Sequence, residues 1–472
     1  MFPLEPHQFD SSILREYDIR GLVDNTLTEQ DAFYLGLGFG SVLREQGGRS
    51  ICIGYDGRES SPIYAKALTA GLLKTGCNVT NIGLGPSPMV YFTVKDRGFD
   101  AGIMITGSHN PSTYNGFKML FQNKGFYGQA IQDLGKAVAK GEYTIAMKPG
   151  HEEALNVENI YLNRLLADFS WPEGKDLKVI WDAGNGATAD ILQKMVKKLP
   201  GEHIVLFGDI DGNFPNHHPD PTVDKNLQDL IEAVKEHHAD LGIAFDGDGD
   251  RIGAVDENGT ILRCDRLITL YAKDVIEKRP NAAIIGDVKC SQVMFDEIAR
   301  LGGKPIMWNT GHSLVKAKMI EQKAPLAGEL SGHIFFADHY YGFDDALYCG
   351  LRLLTILGTS DKKLSDYFTH LPELISTPEF RVEVPEEDKM ALAESIKNNL
   401  LKKHADSDDV NLITIDGLRY TDSNGWWLVR ASNTQNCLVI RLEAFSENAM
   451  TALKNSLKAA LETVGLDSNA IA

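Results

Sequence analysis

Apolar, β-branched runs alternate with helical patterns through the first three-quarters of the chain, and the alternation starts afresh three times. Ser50-Ile51-Cys52-Ile53-Gly54 leads into the helical pattern of Pro62 to Thr75, and the scheme resumes at Leu177-Lys178-Val179-Ile180-Trp181-Asp182 and at Ala282-Ala283-Ile284-Ile285-Gly286-Asp287. Strand–helix alternation of this kind buries a sheet under helices. It predicts three tandem α/β domains. With 472 residues the chain is too long for one core, and length favours about three to four domains. Breaks are expected near Lys148 to Glu153, at the Asn258-Gly259 turn and at the Pro-bearing stretch Leu371 to Pro378. Beyond Pro378 the pattern changes to strand Phe380 to Val384, a helix from Asp388 to Leu401, strands near Asn411 to Ile415, Trp426 to Arg430 and Leu438 to Glu443, and a helix from Ser446. This tail reads as a smaller α+β domain. The expected divisions are 1–154, 155–259, 260–374 and 375–472.

The net charge of −18 opposes association with nucleic acid or anionic membranes. A small anionic substrate stays compatible with it, because salt screens distant charge and a local cationic cluster can dominate a cleft. Cys52, Cys77, Cys264, Cys290, Cys349 and Cys437 are scattered without C-x-x-C spacing, as expected of buried thiols in a reducing compartment. Met1 to Pro6 has neither a basic nor an apolar leader region, and no apolar run reaches about 18 residues. The expected location is the cytoplasm.

Four short motifs carry the chemistry. Thr106-Gly107-Ser108-His109-Asn110-Pro111 follows the apolar strand Ala101 to Ile105, so Ser108 is expected on an exposed turn at a strand's carboxyl end, where α/β proteins place reactive groups. Taken alone, a Ser/Asn turn that bonds only its own backbone would explain this motif equally well. Asp246-Gly247-Asp248-Gly249-Asp250-Arg251 sets carboxylates at i, i+2 and i+4 between glycines, a spacing that converges on one hard cation such as Mg²⁺. Glu257 at position twelve invites an EF-hand assignment. That assignment fails because Arg251 stands where the loop needs glycine and because strands, not helices, flank it. Three carboxylates this close repel unless a cation offsets them, which disfavours a plain acidic turn.

Gly328-Glu329-Leu330-Ser331-Gly332-His333 is expected to be extended, with Glu329 and Ser331 on one side to bind vicinal hydroxyls and His333 as a proton carrier. Arg430-Ala431-Ser432-Asn433-Thr434 sets a guanidinium beside two hydroxyls and an amide at a turn, a phosphate cradle without a glycine-rich loop. Each of these two, by itself, is also compatible with an ordinary polar turn. Gly36-Leu37-Gly38-Phe39-Gly40 follows a helical stretch and lacks the full spacing of a dinucleotide loop.

These motifs, in this order, resemble the α-D-phosphohexomutase superfamily over essentially the whole chain, and its bacterial phosphomannomutase/phosphoglucomutase branch in particular. Supporting matches are Tyr17 to Gly21, Tyr114 to Lys118, Asp182 to Gly186, Phe214 to Pro219 and Tyr341 to Asp345; the departures are Leu330 where the branch most often has Met, and Asn436 where many members have Pro. The resemblance implies four domains around a central cleft, each giving one motif. It implies that Ser108 is a phosphoserine, that Asp246, Asp248 and Asp250 with a phosphoserine oxygen hold Mg²⁺, and that a hexose 1,6-bisphosphate is both intermediate and activator. Catalysis would involve Ser108, His109, Lys118, His333, Arg20 and Arg251, with the proton carried by His333 or Lys118. Tyr17, Arg20, Arg251, Lys289, His312, Glu329, Ser331, His333, Arg430, Ser432, Asn433 and Thr434 would bind substrate. The implied activity is reversible transfer of a phosphoryl group between O1 and O6 of mannose or glucose phosphates. A phosphoglucosamine mutase is disfavoured by apolar Leu330, where that branch has Gln. A phosphatase acting on its own phosphoserine, or a non-catalytic sugar-phosphate binding protein, would be the remaining alternatives. A monomer or weak homodimer is expected.

Overall fold

Four sheets follow one another along the chain, three of them mixed or parallel and the last wholly antiparallel. The computed structural model describes residues 2–466 apart from 123, 173–174, 406 and 433–434, and only the backbone of 386. In the first sheet the parallel strands Asn78–Leu84, Ser50–Tyr55 and Ala101–Ile105 lie side by side, and Tyr114–Phe121 returns antiparallel before Ile19–Leu22. The strand Glu152–Ala154 pairs with Asn78–Leu84, so the stretch read as a break still runs along the first sheet. The second sheet orders Ile261–Leu262, Ile252–Asp256, Leu241–Phe245, Lys178–Asp182 and Glu202–Leu206, and so extends just past the Asn258-Gly259 turn. The third comprises Lys304–Trp308, Ala283–Asp287, Leu326–Gly328 and Ile334–Phe336. The sequence reading missed the fourth sheet's strands Ile375–Ser376 and Leu418–Asp422. Leu418-Arg419-Tyr420-Thr421-Asp422 is too polar to stand out as an apolar run.

Local sequence explains the main helices. Glu29–Glu45 opens on a capping box in which Thr28 accepts from the Asp31 amide and the Asp31 carboxylate accepts from the Thr28 amide at 2.8 Å. The glycines at 36, 38 and 40 lie inside this helix, and a Cβ on Gly36 would come within 2.2 Å of the Leu68 carbonyl. Gly36 lets Glu29–Glu45 pack closely against Ser61–Lys74, Gly38 makes room for Leu134 and Val138 of the helix Gln129–Lys140 and Gly40 for Thr75, and the three form no nucleotide loop. Among the described residues, no helix is long and apolar enough to cross a membrane.

One buried cluster runs through the first three units, from Val90 and Phe92 through Trp181 and Phe245 to Phe336 and Leu353. The fourth unit has a separate core around Trp427, Ile396, Ile440 and Leu457. It meets the third through the buried Arg419, which donates to the Val288 and Cys290 carbonyls at 2.8 Å and stacks on Trp426, and through Ser291, which donates to Glu443 at 2.7 Å.

Candidate active site

The all-buried strand Ala101–Ile105 delivers Ser108 to the place where the first and second units meet. Ser108 has a positive φ of 50° and its amide donates to Thr106 Oγ1 at 2.7 Å. Contrary to the expectation of an exposed turn, Ser108 is only 1% exposed. Its hydroxyl donates to Asp246 Oδ2 at 3.0 Å and lies 3.1 Å from His109 Nδ1. The second unit's acidic loop covers the turn, which a reading of local turn residues alone does not reveal.

That loop joins Leu241–Phe245 to Ile252–Asp256, and Gly249, at a φ of 75°, makes the bend. Asp246, Asp248 and Asp250 each offer an oxygen within 4.8 Å of the others, and all three are buried. Asp246 Oδ1 accepts from the Asp250 and Arg251 amides at 3.0 Å. Burial and then the charges of Asp248 and Asp250 hold the Asp246 carboxyl well above its ordinary range. Lys118 Nζ reaches across from the first unit to Asp248 at 2.6 Å and to Asp250. Burial opposes its charge, but the two aspartates outweigh burial and raise its pKa well above 10.5. Asp248 Oδ1 is buried without a hydrogen bond, and so is Asp250 Oδ1 apart from its ion-pair contact with His333 Nε2 at 3.3 Å. Hard carboxylate oxygens left unsatisfied beside a serine hydroxyl fit a divalent cation such as Mg²⁺. Glu257, the residue an EF-hand would need, accepts from Ser365 Oγ instead.

Glu329 to His333 forms a tight turn, not the extended segment expected: the Gly332 amide donates to the Glu329 carbonyl, and Gly332 has a φ of 98°. The turn still gathers its polar groups. His333 Nδ1 lies 3.0 Å from Glu329 Oε2 and 3.2 Å from Ser331 Oγ, while its Nε2 faces Asp250 Oδ1 at 3.3 Å. Burial opposes protonation of His333, but Asp250 and Glu329 prevail and lift its pKa to about 9. A bridge between Arg251 and His333 stitches the acidic loop to this turn. His312, edge-on to Tyr17, is pushed well below its ordinary value by burial and then by Lys316.

Arg430, from strand Gly425–Ala431, donates to Asp416 at 2.9 Å, and its buried Nη2 has no hydrogen-bond partner among the described residues. Ser432 Oγ accepts from the Gln435 amide; Asn433 and Thr434 lie outside the described residues. Lys289 pairs with Glu379 at 2.9 Å.

A single cleft of about 800 Å³ brings together Tyr17, Arg20, Ser108, His109, Lys118, Arg251, Lys289, His312, Glu329, Ser331, His333, Arg430 and Ser432. Asp246, Asp248 and Asp250 do not line it; they lie behind Ser108 and Lys118. The sequence reading missed Glu379, Arg381 and Arg441, which also line the cleft. Arg441 carried a usable signal, being the one charge within Leu438-Val439-Ile440-Arg441-Leu442.

Fold and site together define a four-unit α/β protein whose largest described cleft, lined by all four units, joins an acidic, metal-competent loop to a ring of cations. The profiles of phosphoglucomutase/phosphomannomutase alpha/beta/alpha domains I, II and III match residues 11–143, 159–259 and 263–375, and that of the C-terminal domain matches 379–460. The chain belongs to the phosphoglucomutase/phosphomannomutase family. It is 42% identical over 461 residues to a Pseudomonas putida phosphomannomutase/phosphoglucomutase, covering 98% of each chain. A Neisseria meningitidis phosphoglucomutase is 41% identical, with 96% of this chain and 97% of that one covered. The crystal structure of a phosphoglucomutase/phosphomannomutase family protein from Burkholderia thailandensis superposes with a TM-score of 0.90 at 40% identity, over 98% of this chain and 99% of that one.

Proposed function

We propose that the protein is an isomerase that moves a phosphoryl group between O1 and O6 of glucose and mannose phosphates, with Ser108 as carrier. The observation that carries the assignment of Ser108 is its buried hydroxyl, 3.0 Å from the aspartate cluster, at the wall of a cleft lined by cations from every unit. Phosphorylated Ser108 gives its phosphoryl to the free sugar hydroxyl. The new O–P bond forms as the Oγ–P bond breaks, and the hydroxyl proton passes to His333 or Lys118. The hexose 1,6-bisphosphate then turns in the cleft, and Ser108 takes back the other phosphoryl as the proton returns.

Asp246, Asp248 and Asp250 with a phosphoserine oxygen would hold Mg²⁺, which supplies Lewis-acid withdrawal of charge from the serine oxygen. Arg20, donating to Asn110 Oδ1 and the Gly107 carbonyl, is held beside the carrier loop to grip the transferring group with Arg251, Lys289 and Lys118. His109 lies against the Ser108 hydroxyl, its pKa pushed well below ordinary by burial and then Arg251, and so is a neutral partner for it. Glu329 and Ser331 bind sugar hydroxyls beside Tyr17 and His312. Arg430, Ser432, Asn433 and Thr434 hold the phosphate that is not reacting.

We assign the domain divisions 1–154, 155–259, 260–374 and 375–472, a cytoplasmic location, a monomer or weak homodimer and no nucleic-acid or membrane partner, the last on the net charge of −18. A coupled assay primed with hexose 1,6-bisphosphate tests the substrate class. Glucose 1-phosphate and mannose 1-phosphate should be isomerised and glucosamine 1-phosphate should not, and release of inorganic phosphate in place of isomerised sugar would overturn the mutase assignment.

A further inference from the structure

Directly behind the Ser108 loop, and outside the cleft lining, lies a buried ion pair that the phosphoryl-transfer scheme does not use. Asp56 and Arg58 follow strand Ser50–Tyr55, and are 2% and 1% exposed. Arg58 Nη2 donates to the Ser108 carbonyl at 2.8 Å and to the Asn110 carbonyl at 2.7 Å, and Nη1 donates to the Pro111 carbonyl at 2.7 Å. Its Nε donates to Asp56 Oδ2 at 3.0 Å. The same Asp56 oxygen accepts from Thr106 Oγ1 at 2.8 Å and from the Gly107 amide at 3.2 Å. Backbone groups of Gly107, Ser108, Asn110 and Pro111, and the hydroxyl of Thr106, are therefore fastened to one charged pair.

The fastening has a conformational consequence. Ser108 sits at a φ of 50°, a region a serine occupies only when its surroundings dictate it. Arg58 bonds the carbonyl of that very residue, and the fit leaves no slack: a Cβ on Gly107 would lie 2.5 Å from Arg58 Cζ. The second unit closes the other face. Phe214 lays its ring 5.1 Å from the guanidinium carbon, and Gly212 packs directly on the Arg58 backbone. The unit that supplies the aspartates thus also presses on the residue that shapes the serine turn.

We propose that Asp56 and Arg58 are positioning residues that lock the Ser108 turn, with Phe214 as backing, so that the serine oxygen meets the aspartate cluster only while the first two units are docked. The proposal rests on Ser108 being the phosphoryl carrier. A planar guanidinium serves three carbonyls and the Asp56 carboxylate at once, four contacts against the three N–H donors of an ammonium.

The test starts from full-length wild-type enzyme phosphorylated with glucose 1,6-bisphosphate, with peptide mapping to show the phosphoryl on Ser108. A phosphoryl group found elsewhere overturns the carrier assignment itself, independently of Arg58. Rapid-quench transfer to glucose 1-phosphate is then compared for wild type, Arg58→Ala, Arg58→Lys and Phe214→Leu. Misplacing a reacting atom by about 1 Å costs on the order of 100-fold, so Arg58→Ala should lose about that much in kcat with KM little changed. Arg58→Lys should stay impaired, Phe214→Leu should fall between, and millimolar guanidinium should restore part of the Arg58→Ala rate without affecting wild type. An Arg58→Ala enzyme that transfers at the wild-type rate, or that loses rate without guanidinium rescue while its melting temperature drops, makes Arg58 a stabilising residue only and overturns the proposal. Should Arg58→Ala fail to fold, Phe214→Leu and Gly107→Ala decide: unchanged transfer rates in both overturn it as well.

Discussion

The two ends of the cleft are built differently. At the serine end most polar groups are drawn into a buried network, Ser108 to Asp246, Lys118 to Asp248 and Asp250, His333 to Glu329, and what is left without a hydrogen bond includes carboxylate oxygens of Asp248 and Asp250. The first three units that make it share one apolar cluster, beside which the first keeps a further core of its own around Phe33, Leu68 and Ile103. At the far end a guanidinium nitrogen of Arg430 has no hydrogen bond among the described residues, and the fourth unit carries its own core, joined to the third through Arg419, Trp426 and Val288. A densely bonded network whose free atoms are carboxylate oxygens is rigid and suits a cation and bond making, whereas a free guanidinium nitrogen on the fourth unit suits a phosphate that must be held, released and held again. The difference teaches that one substrate is served by two kinds of site, one fixed for chemistry and one kept open for capture.

Breaking the serine end should have the largest effects. Ser108→Ala should abolish isomerisation, a loss of at least about 10³-fold, and remove the single-phosphoryl increment from the intact mass of the purified protein. A persistent increment would place the phosphoryl elsewhere. Asp248→Asn should lower kcat by about 100-fold and flatten its Mg²⁺ dependence, because one hard ligand is lost. Full activity of this variant, with wild-type turnover unaffected by prolonged EDTA, would refute the cation site.

The buried network also predicts a pH signature in metal-free protein. His333 is lifted to about 9 in the folded state against about 6.5 unfolded, so its contribution is fully present below about 6.5 and is lost as pH rises through 9. In EDTA, stability should fall over that window by at most about 3 kcal/mol, and His333→Gln should remove that part of the slope. An identical slope in the variant means that another group is responsible.

At the capture end the expected losses are smaller and symmetric. Arg430→Ala should weaken glucose 1-phosphate and glucose 6-phosphate alike, by about 1.5–3 kcal/mol, and should release more bisphosphate during turnover. Unaltered Michaelis constants for both, with no extra bisphosphate, would leave the 430–434 segment a polar hairpin. The smallest effect should come from Tyr17, whose hydroxyl donates to the Thr310 carbonyl at 2.7 Å and ties the first unit to the third. Tyr17→Phe should cost about 0.5–1.5 kcal/mol, read as a lower melting temperature with the chemical step preserved.

Much of this was legible in the chain. The strand–helix restarts showed the three α/β units, and the i, i+2, i+4 spacing of Asp246, Asp248 and Asp250 showed the acidic loop, because both signals are local and periodic. The placement of Glu329 and Ser331 was misjudged as extended, since the alternation of Glu329, Ser331 and His333 does not announce that the chain turns back at Gly332. Ser108 was expected to be exposed, because the cover over it comes from a loop 138 residues away. Asp56 and Arg58 drew no notice, since an Asp-Gly-Arg turn is ordinary until its hydrogen-bond partners are known.

The sequence by itself determined which chemistry is available: a serine on a turn after a strand, three carboxylates within five residues, and an arginine beside hydroxyls at a strand end. Those are properties of neighbours in the chain, fixed by residue type and backbone period. Only the tertiary structure decided that Lys118 would reach Asp248, that Arg251 would bridge to His333 and that Arg58 would hold the serine turn. Each of those contacts joins segments tens to more than a hundred residues apart, and their distances follow from how the four units pack around the cleft.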